Sequence, residues 1–292
     1  MRLIVFLNKI FRRPGVEGRE SATADGPLIQ TSSKQAEAYC EWEYRWGKDL
    51  IAEYLEPSGD LAGKKVLDIG CGLGGKTAAY GAGGAAEILG VDLSLDNIAA
   101  GERFIRREPR DFRWGLFLGD AARLPLPDGI FDTVIANDAM EHFADPESAV
   151  REMARVTREG GAIWLFFTPH FSPLGSHLYD YIYTPWCHLV FRRRDLRSAI
   201  ARILERRHPD RSKRAIESDM VRIMDSFDRD LNHMSIRRFF RIVRSFPELA
   251  VSFTELKPAK YRFLKVMTGI PLVREFFTGT VVCRLERRSQ AV

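Results

Sequence analysis

The sequence predicts an α/β protein built on a doubly wound, mostly parallel sheet, and three observations carry that prediction. Five short apolar runs between Lys65 and Thr168, each bounded by Gly, Pro or Asp, have the near-continuous hydrophobicity of strands buried on both faces. Helical segments alternate with them, the order expected when parallel strands are joined by crossovers. With 292 residues, 45% hydrophobic and 28% charged, the chain can bury such a core and still carry an accessory region.

The N-terminal "MRLIVFLNKIFRR" is basic and amphipathic, but its uninterrupted apolar core is only five residues long, which makes a poor signal peptide. A frayed or docked terminal helix is expected there ahead of an interfacial membrane anchor. Pro14 to Ser33, rich in Gly, Ser and Thr, reads as a linker, so residues 1–33 form one region. "SKQAEAYCEWEYRWGKDLIAEYLEP" follows as one long helix, with Pro57 beyond its end. It opens a Rossmann-like region assigned to 34–170.

The strands are "KKVLDIG", "AEILGVDLS", "FRWGLFLGDA", "FDTVIAND" and "GGAIWLFFTP". Between the last two, "DPESAVREMARVTREGG" is a helix capped by Asp145, with Pro146 at its first position and Gly160 and Gly161 as its exit. After Pro169 the pattern changes to an aromatic segment, "HFSPLGSHLYDYIYTPWCHLVF", and basic amphipathic helices such as "RDLRSAIARILERRH" and "SIRRFFRIVRSF". Residues 171–247 are therefore expected to form a helical cap inserted after strand five. The late runs "LAVSFTELK" and "TGTVVCRLE", in 248–292, are expected to complete the sheet.

Cys40, Cys71, Cys187 and Cys283 are scattered without zinc-ligand spacing, which disfavours a disulfide framework and fits a reducing cytoplasm. No apolar run approaches the ~20 residues of a spanning helix. The net charge of +5 is uneven: Gly63 to His170 has 12 Lys/Arg against 16 Asp/Glu, and Phe191 to Arg244 has 16 against 8. The motif-bearing region is thus acidic, and no nucleic-acid partner is expected.

"LDIGCGLGGKT" fits three patterns: a dinucleotide fingerprint (Gly70-x-Gly72-x-x-Gly75), a P-loop (Gly70 to Thr77), and an acid followed by alternate glycines (Asp68, Gly70, Gly72, Gly74). Ligands of open α/β sheets bind beyond the carboxyl ends of the strands. Asp68, Asp92, Asp120, and Asn137 with Asp138 stand at those ends, an acidic rim that would repel a triphosphate and leave only Lys76 to compensate. Asp92, 22 residues after Gly70, is spaced to accept hydrogen bonds from a ribose, which a nicotinamide cofactor also requires.

The third strand's "GDAARLPLPDGIFD" separates these readings. Together with "VLDIGCGLGG", "GVDLS" and "DAMEHFADPESAVREMARVTREGGAIWL" it resembles the type-11 group of class I S-adenosylmethionine-dependent methyltransferases, over about Val66 to Phe167. The resemblance implies a Rossmann-like seven-stranded sheet and S-adenosyl-L-methionine as cofactor. It implies that Asp68, Gly70, Cys71 and Gly72, with Gly74, hold the methionine portion. Asp92 would bind the ribose, Leu93 would pack on the adenine, Asp120 and Ala121 would read the adenine edge, and the Asn137 carbonyl would meet the amino group. Lys76 and Thr77 are expected to be ordinary first-turn helix residues.

His142 and His170, just beyond strands four and five, are the candidate bases for O-methylation of a small-molecule, lipid or glycan acceptor. Asp138-x-x-Glu141-His142 resembles the acid-x-x-Glu-His of ubiquinone-pathway methyltransferases. Glu-His is common across the wider family, so no metal site is assigned and a metal-assisted enzyme stands as an alternative. A nicotinamide oxidoreductase would share the fold but leave "GDAARLP" unexplained. The aromatic insertion is expected to act as a substrate lid, and its arginines allow peripheral contact with an anionic membrane.

Overall fold

A computed structural model describes residues 3, 4, 7, 8, 33–107, 112–179, 181–259 and 265–289. Most of the N-terminal segment and the whole linker as far as Ser32 lie outside them. The chain divides into two compact units, one of residues 32–167, 237–255 and 281–292, the other of 1–31, 168–236 and 256–280.

The first unit holds the sheet. Its leading helix, α1 (Ser33–Leu50), passes into a π-helical turn at Ile51–Leu55 and a last turn at Glu56–Ser58, so Pro57 lies inside the helical stretch rather than beyond it. Then come β1 (Lys65–Ile69), α2 (Gly75–Ala82), β2 (Glu87–Asp92), α3 (Leu95–Arg106), β3 (Arg113–Leu118), β4 (Phe131–Asn137), α4 (Pro146–Val156) and β5 (Thr157–Phe167).

Helix α4 starts as its sequence requires: Asp145 accepts the Ser148 N–H at 3.0 Å and Pro146 takes the first position. It stops four residues before the expected glycines. Thr157 is extended, a conformation suited to its β-branched side chain, and its hydroxyl donates to the Met153 carbonyl at 2.7 Å, closing the helix. Gly160 and Gly161 fall instead in β5, beside an irregular register between Phe131 and Thr133.

The sheet has seven strands in the order β3-β2-β1-β4-β5-β7-β6, where β6 is Leu249–Pro258 and β7 is Thr278–Arg287. Strands β1 to β5 pair in parallel, and β7 runs antiparallel to β5. Order reverses between β2-β1 and β4, so the switch point lies at the carboxyl ends of β1 and β4. Under one face, Tyr54, Trp164 and Phe166 are buried among Leu55, Val66, Ile88 and Val282. Asp60 is held there by the Trp164 indole N–H (2.7 Å) and the Arg284 guanidinium (2.6 Å).

The sequence pattern puts the basic amphipathic helix at Ile236–Arg244 in the insertion, yet residues 237–255 cluster with the sheet. Its apolar face explains this: Phe239 lies 4.9 Å from the Phe167 ring, and Ile242 and Val243 are buried.

In the second unit, α5 (Cys187–Val190), α6 (Arg193–Arg207) and α7 (Lys213–Arg229) precede the Ile236–Arg244 helix, called α8. Segment 256–280, with short helices α9 (Lys265–Thr268) and α10 (Arg274–Phe277), joins them. Leu196, Ile200, Ile223 and Met224 form the core of this unit together with Ile4, which is 0% exposed. Asn8 Nδ2 also donates to the Tyr181 carbonyl at 2.9 Å, so Ile4 and Asn8 are held against this unit. Four insertion arginines are engaged internally: Arg193 with Asp228, Arg211 and Arg222 with Asp219, and Arg207 with the Tyr183 hydroxyl. Among the described residues no helix is long and apolar enough to cross a membrane.

Candidate active site

The loop after β1 is shaped by three glycines at positive φ, Gly70 (73°), Gly72 (54°) and Gly74 (76°). A Cβ on Gly70 would stand 2.7 Å from the Ala139 Cβ, and one on Gly74 would stand 3.1 Å from the Gly101 Cα in α3. Close approach excludes a side chain at Gly70 and leaves one at Gly74 tightly crowded. Gly72 has nothing within 4 Å of the same position, so its bare backbone faces open space. Gly74, expected to touch the cofactor, is accounted for by helix packing and by its place at the N-cap of α2.

Asp92 ties the loop to the second strand. Its Oδ2 accepts the Gly72 N–H at 2.9 Å, while Oδ1 accepts from Ser94 N (2.9 Å) and Asn97 Nδ2 (3.1 Å). Leu93, next in line, is 73% exposed, an apolar surface free to pack on a flat ring. Asp120 is exposed and turns Oδ1 onto the Ala122 N–H at 2.9 Å; no helix follows it, so it is not a helix cap. Ala121 beside it is buried.

Lys76 and Thr77 are not ordinary first-turn residues. The Thr77 hydroxyl donates to Asp68 Oδ2 at 2.6 Å, inside the protein. Lys76 is 8% exposed, and its Nζ lies 2.9 Å from Asn137 Oδ1, 3.1 Å from Asp138 Oδ2 and 3.9 Å from Glu43 Oε1, over the Trp46 ring. A P-loop lysine must reach a phosphate; this one is committed to carboxylates. No sequence motif marks Glu43, since it reaches the site from α1 across 33 residues of chain; its place on a helix before the glycine loop is the one sequence signal for it.

Charge in this corner is unbalanced, three carboxylates to one ammonium. Burial raises Glu43 to about 7 despite Lys76, with Asp68 and Asp138 pushing the same way. Burial likewise raises Asp68 to about 6, against the Thr77 hydrogen bond. Burial works to lower Lys76, but Asp138 and Glu43 overcome it and hold the ammonium above the ordinary lysine range. Burial keeps the Cys71 thiol protonated, so the loop contributes there through its backbone.

Glu43 Oε2 is buried without a hydrogen-bond donor, an acceptor suited to a cationic group. The open glycine of this loop, the carboxylate spaced for a ribose and the excess negative charge together fit S-adenosylmethionine, which brings an ammonium and a sulfonium and no phosphate. They do not fit a nucleoside triphosphate.

The two histidines differ. His142 is exposed, after β4. His170 belongs to the other unit, where its ring centroid lies 5.2 Å from His188 and 4.4 Å from His233, and its carbonyl meets His188 Nε2 at 2.7 Å. Burial, helped by His233 and His188, lowers it to about 4, and its Nδ1 is buried without a partner. Asp138, the first acid of the suggested metal set, is already paired with Lys76.

Fold and loop define a doubly wound α/β protein whose candidate cofactor site lies at the β1/β4 switch point. Residues 67–165 match the family described as a methyltransferase domain. The chain is similar to a ubiquinone biosynthesis O-methyltransferase of Chromobacterium violaceum (35% identity, 41% of this chain, 50% of the relative). It is also similar to norajmaline N-methyltransferase of Rauvolfia serpentina (32% identity, 37% of each chain). It spans about half or less of the length of these curated relatives. An S-adenosylmethionine dependent methyltransferase structure from Mesorhizobium loti shares the fold, with TM-score 0.51 and 16% identity over 82% of this chain and all of that one. Residues 67–165 are thus a class I S-adenosylmethionine-dependent methyltransferase domain of the type-11 group.

Proposed function

We propose that the whole chain transfers the methyl of S-adenosyl-L-methionine to a hydroxyl of a small-molecule, lipid or glycan acceptor. The observation that carries the cofactor half is the Asp92 carboxylate on the Gly72 N–H, which joins the ribose-binding acid to the open loop. The bound cofactor supplies a methyl already activated by its sulfonium. What remains for the protein is alignment and exclusion of water.

In this reading Asp92 binds the ribose, Leu93 and Asp120 with Ala121 hold the adenine, and Asp68, Gly70, Cys71, Gly72 and Asn137 hold the methionine end. Glu43 and Asp138 add negative charge beside them, with Lys76 setting their positions. A ring nitrogen of His142 or His170 accepts the hydroxyl proton. His170, neutral above about pH 5, is in the protonation state a base requires. One relative is named an O-methyltransferase and another an N-methyltransferase, so the acceptor atom rests on the histidines rather than on likeness.

Incubation of the full chain with methyl-labelled cofactor and fractionated cell extract, followed by mass spectrometry, tests this. A labelled product with a methyl ether or ester is expected. Label only on nitrogen or carbon would overturn the hydroxyl assignment.

A further inference from the structure

We propose that the helical unit docks onto an anionic lipid bilayer through residues 265–276 together with α5. Large apolar side chains are ordinarily left at a surface singly. Here they are grouped: Val266 is 75% and Leu272 88% exposed, with Ile270 and Phe276 also exposed between and beyond them. Leu189 and Val190 on α5 are exposed as well.

The two stretches are held side by side. Trp186 Nε1 donates to the Phe276 carbonyl at 3.0 Å, and its ring lies 5.9 Å from that of Phe277. Trp186 itself is left-handed (φ 53°), and its carbonyl accepts the N–H groups of Leu189 (2.9 Å) and Val190 (3.1 Å). That fixes the backbone turn that carries Leu189 and Val190.

The exposed charge around this apolar group is positive. Arg192 and Arg194 are exposed just after α5, Lys265 is exposed at the start of α9, and Arg274 opens α10. Glu275, the one acid from Lys265 to Phe277, turns Oε2 onto the Ile236 N–H at 2.9 Å. Asp195, in the first turn of α6, is half-buried. An acidic protein surface would match the cations but leave Val266 and Leu272 against polar atoms. A bilayer accepts both, apolar tips beneath the headgroups and cations among them. The N-terminal Ile4 cannot be the inserting group, because it is used in the core of the same unit.

The inference is independent of methyl transfer, since vesicle binding is read without turnover. Flotation of the full chain with phosphatidylcholine vesicles, with and without phosphatidylglycerol, is the test. Binding is expected only with the anionic lipid and should weaken as salt is raised. The pair Val266→Ser with Leu272→Ser should lower partitioning by about tenfold or more. Arg194→Gln with Lys265→Gln should lower it by roughly fivefold per residue. Val251→Ser, at an exposed valine of β6 in the sheet unit, should change nothing.

As a second readout, Leu272→Cys carries an environment-sensitive dye selectively, the four native cysteines being buried. Its emission should shift to the blue on anionic vesicles. Absence of wild-type binding at low salt, or an unshifted dye on bound protein, overturns the proposal. So does a serine pair that converts a dimer to a monomer without affecting vesicles, which would make this face an interface between copies.

Discussion

Lys76 Nζ stands 3.1 Å from Asp138 Oδ2, an ion pair between the first turn of α2 and the residue after β4. It crosses the switch point of the sheet, and Glu43 approaches the same ammonium from α1. Replacing Lys76 by Met would leave buried carboxylates without their counter-ion, a loss expected to cost about 3 to 5 kcal/mol. Urea unfolding should show that loss at pH 8 and a smaller one at pH 5, where Glu43 can take a proton. Equal stability of Lys76→Met at pH 8 would show that the pair has no such role.

This pair also marks the limit of what the sequence discloses. The strands were legible because each is a compact apolar run, and the acids at their ends follow from strand order. Lys76 was not, because its partners Glu43, Asn137 and Asp138 come from elements far apart in the chain, and a lysine after glycines looks like a solvated first turn. Gly72 and Gly74 are identical in sequence terms and differ only in what lies opposite a Cβ. The glycines do not mark the α4 boundary, because a threonine hydroxyl closes that helix.

The two glycines should separate on substitution. Gly74→Ala combines a left-handed backbone with an approach to Gly101, and is expected to destabilise by about 2 to 4 kcal/mol. Gly72→Ala carries only the backbone cost, about 1 to 2 kcal/mol, but places a methyl where the cofactor is proposed to lie. Thermal unfolding and S-adenosylhomocysteine titration on both variants check this. Gly74→Ala should show the larger stability loss and Gly72→Ala the larger affinity loss.

Protonation should couple to stability with opposite signs in the two units. Glu43 and Asp68 titrate near 7 and near 6 when folded, above their ordinary 4.5 and 3.8. The native state therefore holds protons that the unfolded chain has released, and this contribution, complete below about pH 4, is lost as pH rises through 6 and 7. His170 is lowered to about 4 from 6.5, so its contribution is present above 6.5 and lost as pH falls through 4. Urea unfolding across pH should lose part of its alkaline slope, the part nearest pH 7, in Glu43→Gln and part of its acid slope in His170→Asn. A cationic ligand favours the ionised carboxylates, so S-adenosylmethionine binding near pH 6.5 should release protons, seen as heats that differ between buffers.

Turnover tests the histidines separately from binding. His142→Ala or His170→Ala should slow methyl transfer by about 100- to 10,000-fold while leaving S-adenosylhomocysteine affinity nearly unchanged. If His170 is the base, the rate should already be level between pH 6 and 8, because that ring ionises near 4. Full turnover in both variants would remove both residues from the chemistry and leave alignment alone.

The most direct measurement is calorimetric titration of the wild type and Asp92→Ala with S-adenosylmethionine, S-adenosylhomocysteine and NADH. The wild type is expected to bind the first two, and the variant to bind both more weakly by about 2 to 4 kcal/mol, the worth of two charge-assisted hydrogen bonds to a ribose. Wild-type protein that ignores both sulfur compounds, or that prefers NADH, would contradict the account.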